Sequence, residues 1–412
     1  MRVRHLWLRS LIVIGSVMLL LGFAFLPVAQ ADTPDFPVFD GYPKKGCYGY
    51  VVGGTGMWDG YGTITVDVPG PVVDAWLIWE GVNDIDDPGN PNTTTLVVNG
   101  ETVTGRMTDH SRYSTIHADW YQWVADVGPG GYNLVREGSN TLNVSEWWPL
   151  ATYRDGSGSP DPRRNGVSLM VIYDRSPCSD PVEIIPFYGS DYVWWKGEPS
   201  MDGGPLSMNH VFSFDAAPMD RQAHLVINFA GMDHLAILAG VCRDTAVWAA
   251  VGSGTPPDAV AETGYPGTHG VNGGVLAAKN VFNASPPCQQ QIADPVVDFS
   301  GGYIAPEWSI TDLTFNLPAD SEWLAVQIES VSPLNPNSGP SGESGAWTGG
   351  ILTIPLPPPE LGITKDDGRT TAAPGEVLTY TIAYENTGQG PGYDVTITDT
   401  LPEYTTYEGC ET

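Results

Sequence analysis

The strongest constraint on this chain is a period of two. Short runs that alternate apolar and polar residues, or that are apolar throughout, recur between clusters of glycine and proline. Thr63–Val68, Val73–Trp79, Thr94–Val98, Thr141–Val144 and Val167–Tyr173 are early examples. Val182–Phe187, His224–Phe229, Trp308–Phe315, Trp323–Ile328 and Gly350–Ile354 follow. Neighbouring side chains of an extended strand point to opposite faces, so such runs bury one face or both. Long helical patterns are absent. The 49 Gly and 36 Pro supply the turns between strands. The pattern predicts an all-β protein.

The region 32–356 is too long for one simple sandwich, and its runs repeat. One series reads AWLIWEG (75–81), WVADV (123–127), EGSNTLNVSEW (137–147) and NGVSLMVIYD (165–174). The other reads AHLVINFAG (223–231), WSITDLTF (308–315), ADSEWLAVQIES (319–330) and WTGGILTIPL (347–356). Each has an Ala-led apolar strand, a Trp-initiated strand containing Asp, an extended strand after a polar turn, and a Gly-containing closing strand. This predicts two jelly-roll-like β-sandwiches, 32–178 and 179–356, related by duplication. The run PLPPPE (355–360) favours polyproline II, so 357–360 reads as a semi-rigid linker before a terminal segment, 361–412.

Residues 1–31 read as a secretory signal peptide. Arg2, Arg4 and Arg9 form a basic start, Leu11–Leu26 is nearly all apolar, and Ala29-Gln30-Ala31 fits a cleavage site. No later run is long and apolar enough to span a bilayer, so the remainder is not expected to be an integral membrane protein. Without that leader, 15 Lys and Arg face 48 Asp and Glu, a net charge of −33. Such a surface repels nucleic acid and anionic lipid. The expected location is extracellular or on the cell surface.

The terminal segment carries I-T-K, then P-G-E-V-L-T-Y-T-I, then N-T-G, then V-T-I-T-D-T-L-P. In that order these blocks resemble the repeat domain of bacterial and archaeal surface proteins known as domain of unknown function 11. The resemblance implies an immunoglobulin-like β-sandwich serving as a stalk, here ending before its closing strands. Val377–Tyr384 and Asp394–Thr400 are its expected strands. The runs AWLIWEG, TLVVNG (95–100), NGVSLMVIYD and PFYGSDYVW (186–194) resemble domain of unknown function 3344. That family precedes such repeats in secreted proteins, which implies surface exposure and no known chemistry.

No motif in the chain assembles a catalytic site. G-x-S-x-G, H-E-x-x-H and P-loop patterns are missing, and the seven His are scattered. Gly53-Gly54-Thr55-Gly56 lacks the Lys-Ser/Thr of a phosphate loop and reads as a turn. The best constellation is Asn83–Asn90, where Asp84, Asp86, Asp87 and Asn90 offer hard oxygen ligands suited to Ca²⁺. Pro88 and Thr95 stand where an EF-hand would need ligands, so a solvated acidic turn is the alternative. The pairs Trp147-Trp148 and Trp194-Trp195 each place one ring on either face of a strand, where an exposed one would stack on a sugar; the alternative is that both are buried at strand ends or between domains. Lys365, Asn386 and Asp399 are residue types found in Lys–Asn cross-links, although Asn386 sits in a turn-like N-T-G.

Export to an oxidising compartment favours cystine formation. Cys47 precedes the first strands of the first sandwich and Cys178 follows its closing strand; Cys242 and Cys288 fall in the second. The expected pairs are Cys47–Cys178 and Cys242–Cys288. The functional expectation is a non-enzymatic adhesion or structural display protein whose partner is an extracellular protein or glycan. The alternatives are an extracellular carbohydrate-binding module and, less favoured, a secreted glycosidase.

Overall fold

The structure, a computed structural model, describes residues 36–409 except 58–59, 85–92, 114–117, 149–152, 155–159, 162, 194–206, 231–245, 262–269, 271, 280–290, 293–295, 306–307, 330–344, 389 and 394. The described residues hold strands and no helices. A short strand, β1 (Lys44–Gly46), comes first. Then come β2 (Tyr48–Gly56), β3 (Tyr61–Val68), β4 (Val72–Asp84), β5 (Thr93–Val98), β6 (Glu101–Tyr113), β7 (Ala118–Asp126) and β8 (Gly138–Trp148). The two-residue strands β9 (Tyr153–Arg154) and β10 (Pro160–Asp161) lead into β11 (Arg163–Asp174). The next group is β12 (Val182–Val193), β13 (Ser207–Ser213), β14 (Arg221–Ala230), β15 (Ala246–Gly252), β16 (Val275–Lys279) and β17 (Gln291–Ile292). It closes with β18 (Val296–Ala305), β19 (Trp308–Leu317), β20 (Trp323–Glu329) and β21 (Gly345–Pro355). Two strands remain, β22 (Leu361–Asp366) and β23 (Thr381–Asn386).

Strand order shows the internal repeat directly. The first eight-stranded sheet runs β2-β11-β4-β7-β6-β5-β8-β3. Counted from β2, and leaving out β9 and β10, its halves are strands 1-8-3-6 and 2-7-4-5, the order of a jelly roll. The β6–β7 hairpin joins the halves, so one sheet curls until β3 packs on β2. In the second repeat β12-β21-β14-β19 is again 1-8-3-6, with β18 beside it, and β13-β20-β15 is again 2-7-4. Here strand 5, β18, stays with the first sheet, and β16 and β17 extend the other. The duplicated series in the sequence are therefore topological equivalents: β4 with β14, β7 with β19, β8 with β20, β11 with β21.

Among the described residues three apolar layers lie within and between the rolls, and a smaller cluster around Trp248, Val260 and Trp323 covers the outer face of β15 and β20. Trp79, Trp123, Leu77 and Leu169 fill the first roll. Phe187, Phe229, Phe315 and Trp347 fill the second. Between the rolls, Trp76, Ile78, Val124, Met170 and Ile172 meet Ile184, Val226, Trp308, Ile310 and Ile351. The sequence pattern follows from this layering. β3 is covered on one face and alternates, with Ile64, Val66 and Val68 inward. β21 is covered on both faces and is buried from Gly345 to Ile354. Each large apolar side chain so buried stabilises the fold by about 1.5–3 kcal/mol.

Two expectations need correction. Gly53–Gly56 is no turn; it lies within β2, paired with Gly166–Leu169 of β11. The strand is squeezed from both sides. A Cβ on Gly53 would meet Val66 Cγ1 at 2.6 Å, and one on Gly54 would meet Ile310 Cδ1 at 2.7 Å. Close approach, rather than chain reversal, demands these glycines. The start of the chain also crosses the expected boundary at 178. Val38 bridges Phe187, β1 pairs with β12, and Phe36 packs 4.8 Å from the Trp347 ring. Residues 36–46 thus belong to the second roll.

In the terminal segment the described residues form one two-stranded sheet, β22–β23. The expected strand at 377–384 starts at Thr381, and Val395–Thr400 carries none. Leu361, Ile363, Ile382 and Tyr384 share one exposed face of that sheet.

Candidate functional site

Contacts across the seam bring strand ends of the two rolls together, which gives the paired body two distinct ends. β4 finishes at Asp84 opposite Ala118, where β7 begins. β12 finishes at Val193 opposite Gly345, and β14 at Ala230 opposite Trp308. Gln122 Nε2 donates to the carbonyls of Gly189 (2.6 Å) and Thr348 (2.7 Å), which fixes these strand ends beside one another. β8 also ends there, its Trp148 opposite Thr95 near the start of β5. Thus Asp84 and Trp147–Trp148, far apart in sequence, close strands at one end of the body. Asp86, Asp87 and Asn90 follow β4 in the chain and lie outside the described residues. Trp194 and Trp195, which follow β12, lie outside them too, as do Cys242 and Cys288.

Beneath this end the seam between the rolls turns polar. Glu80 and Gln122 are cross-strand neighbours, both fully buried. Gln122 Oε1 accepts from Thr108 Oγ1 at 2.9 Å. Thr348 Oγ1 donates to the Asn228 carbonyl at 3.2 Å, and Asn228 Nδ2 to Met170 Sδ at 3.6 Å. Trp308 Nε1 donates to Ser168 Oγ at 2.9 Å. Buried polar groups are tolerable when bonded in this way, and they fix one register between the sheets. Parity carried a signal for this cluster: Glu80 shares the strand face of Trp76 and Ile78, so a charged residue stands on a core face.

The opposite end is held by charge and covalent linkage. Tyr42 donates to Asp74 Oδ2 at 2.5 Å, and Lys44 Nζ reaches the same oxygen at 2.8 Å. Tyr50 donates to Asp312 Oδ2 at 2.8 Å across the seam. Burial, then the adjoining carboxylate, pushes both phenols well above the usual tyrosine range. They remain protonated donors, which suits clasps rather than acid–base groups. Lys45 bonds Asp215 at 2.5 Å and holds its carboxyl below the ordinary range. Neighbouring Glu183 is pushed up by burial. Cys47 and Cys178 are joined in a disulfide at this end, Cα atoms 5.7 Å apart. β21 leaves here too, where Leu356 N donates to Pro181 O at 2.9 Å.

Among the described residues, no group of three or more His, Cys, Asp or Glu is placed to hold a metal ion. Lys365 Nζ lies 2.8 Å from both Asp399 oxygens. Asn386 is engaged elsewhere: its Nδ2 donates to Gly390 O, and its Oδ1 accepts from the amides of Glu360 and Gly388. Asn386 pairs with Leu361 rather than Lys365 across the strands, so it closes a turn and does not approach the lysine.

Comparison with known protein families, characterised proteins and solved structures finds no match to this chain.

Proposed function

We propose that this chain is a non-enzymatic, secreted surface protein. Its fused jelly rolls are displayed on the terminal segment, and the end bearing Asp84 and Trp147–Trp148 engages an extracellular protein or glycan. One observation carries the reading: the strand ends that hold the sequence-derived candidates lie opposite the end from which β21 runs into the proline linker. A body mounted by its lower end presents those strand ends outward. The acidic surface of the mature chain suits an extracellular setting. The resemblance of the terminal segment to surface-protein repeats agrees with this reading.

The experiment is binding of the chain from residue 32 onward to panels of extracellular proteins and glycans, with turnover measured on ester, peptide and glycoside substrates. Saturable binding without turnover is the expected result. Hydrolysis abolished by one acid or Ser substitution would overturn the non-enzymatic reading. A second reading, a carbohydrate-binding module, draws on the Trp pair that ends β8. Glycan binding lost on Trp148→Ala in a folded protein would select it. If the segment after Asp84 takes Ca²⁺, a chelator lowers the melting temperature, Ca²⁺ restores it, and Asp86→Ala removes the response.

A further inference from the structure

β21 is gripped on both flanks, and everything C-terminal to it leaves from one end. It pairs with β12 from Val193↔Gly345 down to Val182↔Pro355. On its other side it pairs with β14 from Ala230↔Ala346 to His224↔Thr353. The bonds of an antiparallel ladder lie perpendicular to the strands. A pull along the strand axis strains all of them together, whereas a pull that separates two strands at one end opens them one pair at a time.

Both ladders also carry an irregularity at the same height. β12 shifts register between Tyr188 and Asp191, opposite Thr348, and β14 between Ile227 and Phe229, opposite Thr348–Gly349. Gln122 of the facing roll donates to Gly189 O in the first irregularity and to Thr348 O on β21. Thr348 Oγ1 donates to Asn228 O in the second. β21 cannot slide past either neighbour without carrying a kink through the ladder and breaking these bonds.

We propose that β21 carries mechanical load: tension between the Val193 end of the second roll and the terminal segment is resisted in shear, with Gln122 as the pin across the seam. The biological use of this strength rests on the display reading; the mechanical asymmetry itself does not.

The test is single-molecule force spectroscopy on the full chain, tethered through azide-bearing side chains so that the cysteines stay untouched. One version is held at positions 193 and 360, which shears β21 against β12. The other is held at 180 and 360, which peels the same pair from its lower end. Both stretch nearly the same length of chain. The expected result is a rupture force several-fold higher for the 193/360 pair. Gln122→Ala is expected to lower that force and leave the 180/360 force unchanged. Equal forces in the two geometries would overturn the proposal, as would an equal effect of Gln122→Ala on both. Absence of any extracellular binding, with the force asymmetry intact, would sink the display reading and leave this one standing.

Discussion

Gln122 is the side chain on which most of the seam depends. It is fully buried, and its amide nitrogen is the donor for two buried carbonyls on separate strands. Truncation leaves both acceptors without that donor. A buried group stripped of its partner costs about 1–3 kcal/mol, so with two such groups Gln122→Ala is expected to lower unfolding free energy by about 2–6 kcal/mol. Urea denaturation checks this, and an unchanged midpoint would show that the amide has no energetic role. Trp308 illustrates a different residue-scale demand. Its indole donates to Ser168 while its ring lies against Gly54 and Gly166. A Cβ on Gly166 would come within 2.5 Å of that ring. The glycines of β2 and β11 are thus paired with an aromatic contributed by the other roll.

Among elements, the clasp of β1 and the disulfide beside it decide how the lower end is closed. Cys47 and Cys178 are 131 residues apart in sequence, and in the loop-entropy picture such a link is worth about 5 kcal/mol. The Cys47→Ser/Cys178→Ser double variant is expected to lose up to about that amount. Denaturation of the variant beside the oxidised parent measures it, and equal stability would count against a constraining role. Much at this scale was legible beforehand. The alternation of TITVDV reads as a strand covered on one face, and AHLVINFAG reads as one covered on two. The equivalence of the two series was legible because each strand meets the same layers in its own roll. Other features were not. Nothing local tells a glycine-rich strand from a turn when the cause is Ile310, 256 residues beyond Gly54. Residues 36–46 look like a leader to the first roll, because their partners on β12 are remote in sequence. The sequence supplied the candidate residues Asp84 and Trp147–Trp148 but not their common end, which depends on strand direction and register.

At the scale of the molecule, the apolar seam is expected to make the two rolls unfold as one cooperative body. Separating them would expose Trp76, Ile78, Val124, Met170 and Ile172 on one side and Val226, Trp308, Ile310 and Ile351 on the other. Calorimetry of residues 32–356 is expected to show a single transition, with calorimetric and van't Hoff enthalpies equal. Two resolved transitions would mean that the seam contributes little. The strap at the chain start has a consequence for synthesis. A chain is made from its N-terminus, and its segments fold as they emerge. Lys44 has no strand partner until Ile184 has been made, and Phe36 finds its Trp347 neighbour only as the last strand of the second roll is completed. Residues 36–46 therefore emerge ahead of the first roll and yet are among the last to find their places. The nascent first roll must wait with its strap loose until β12 and β21 have been made.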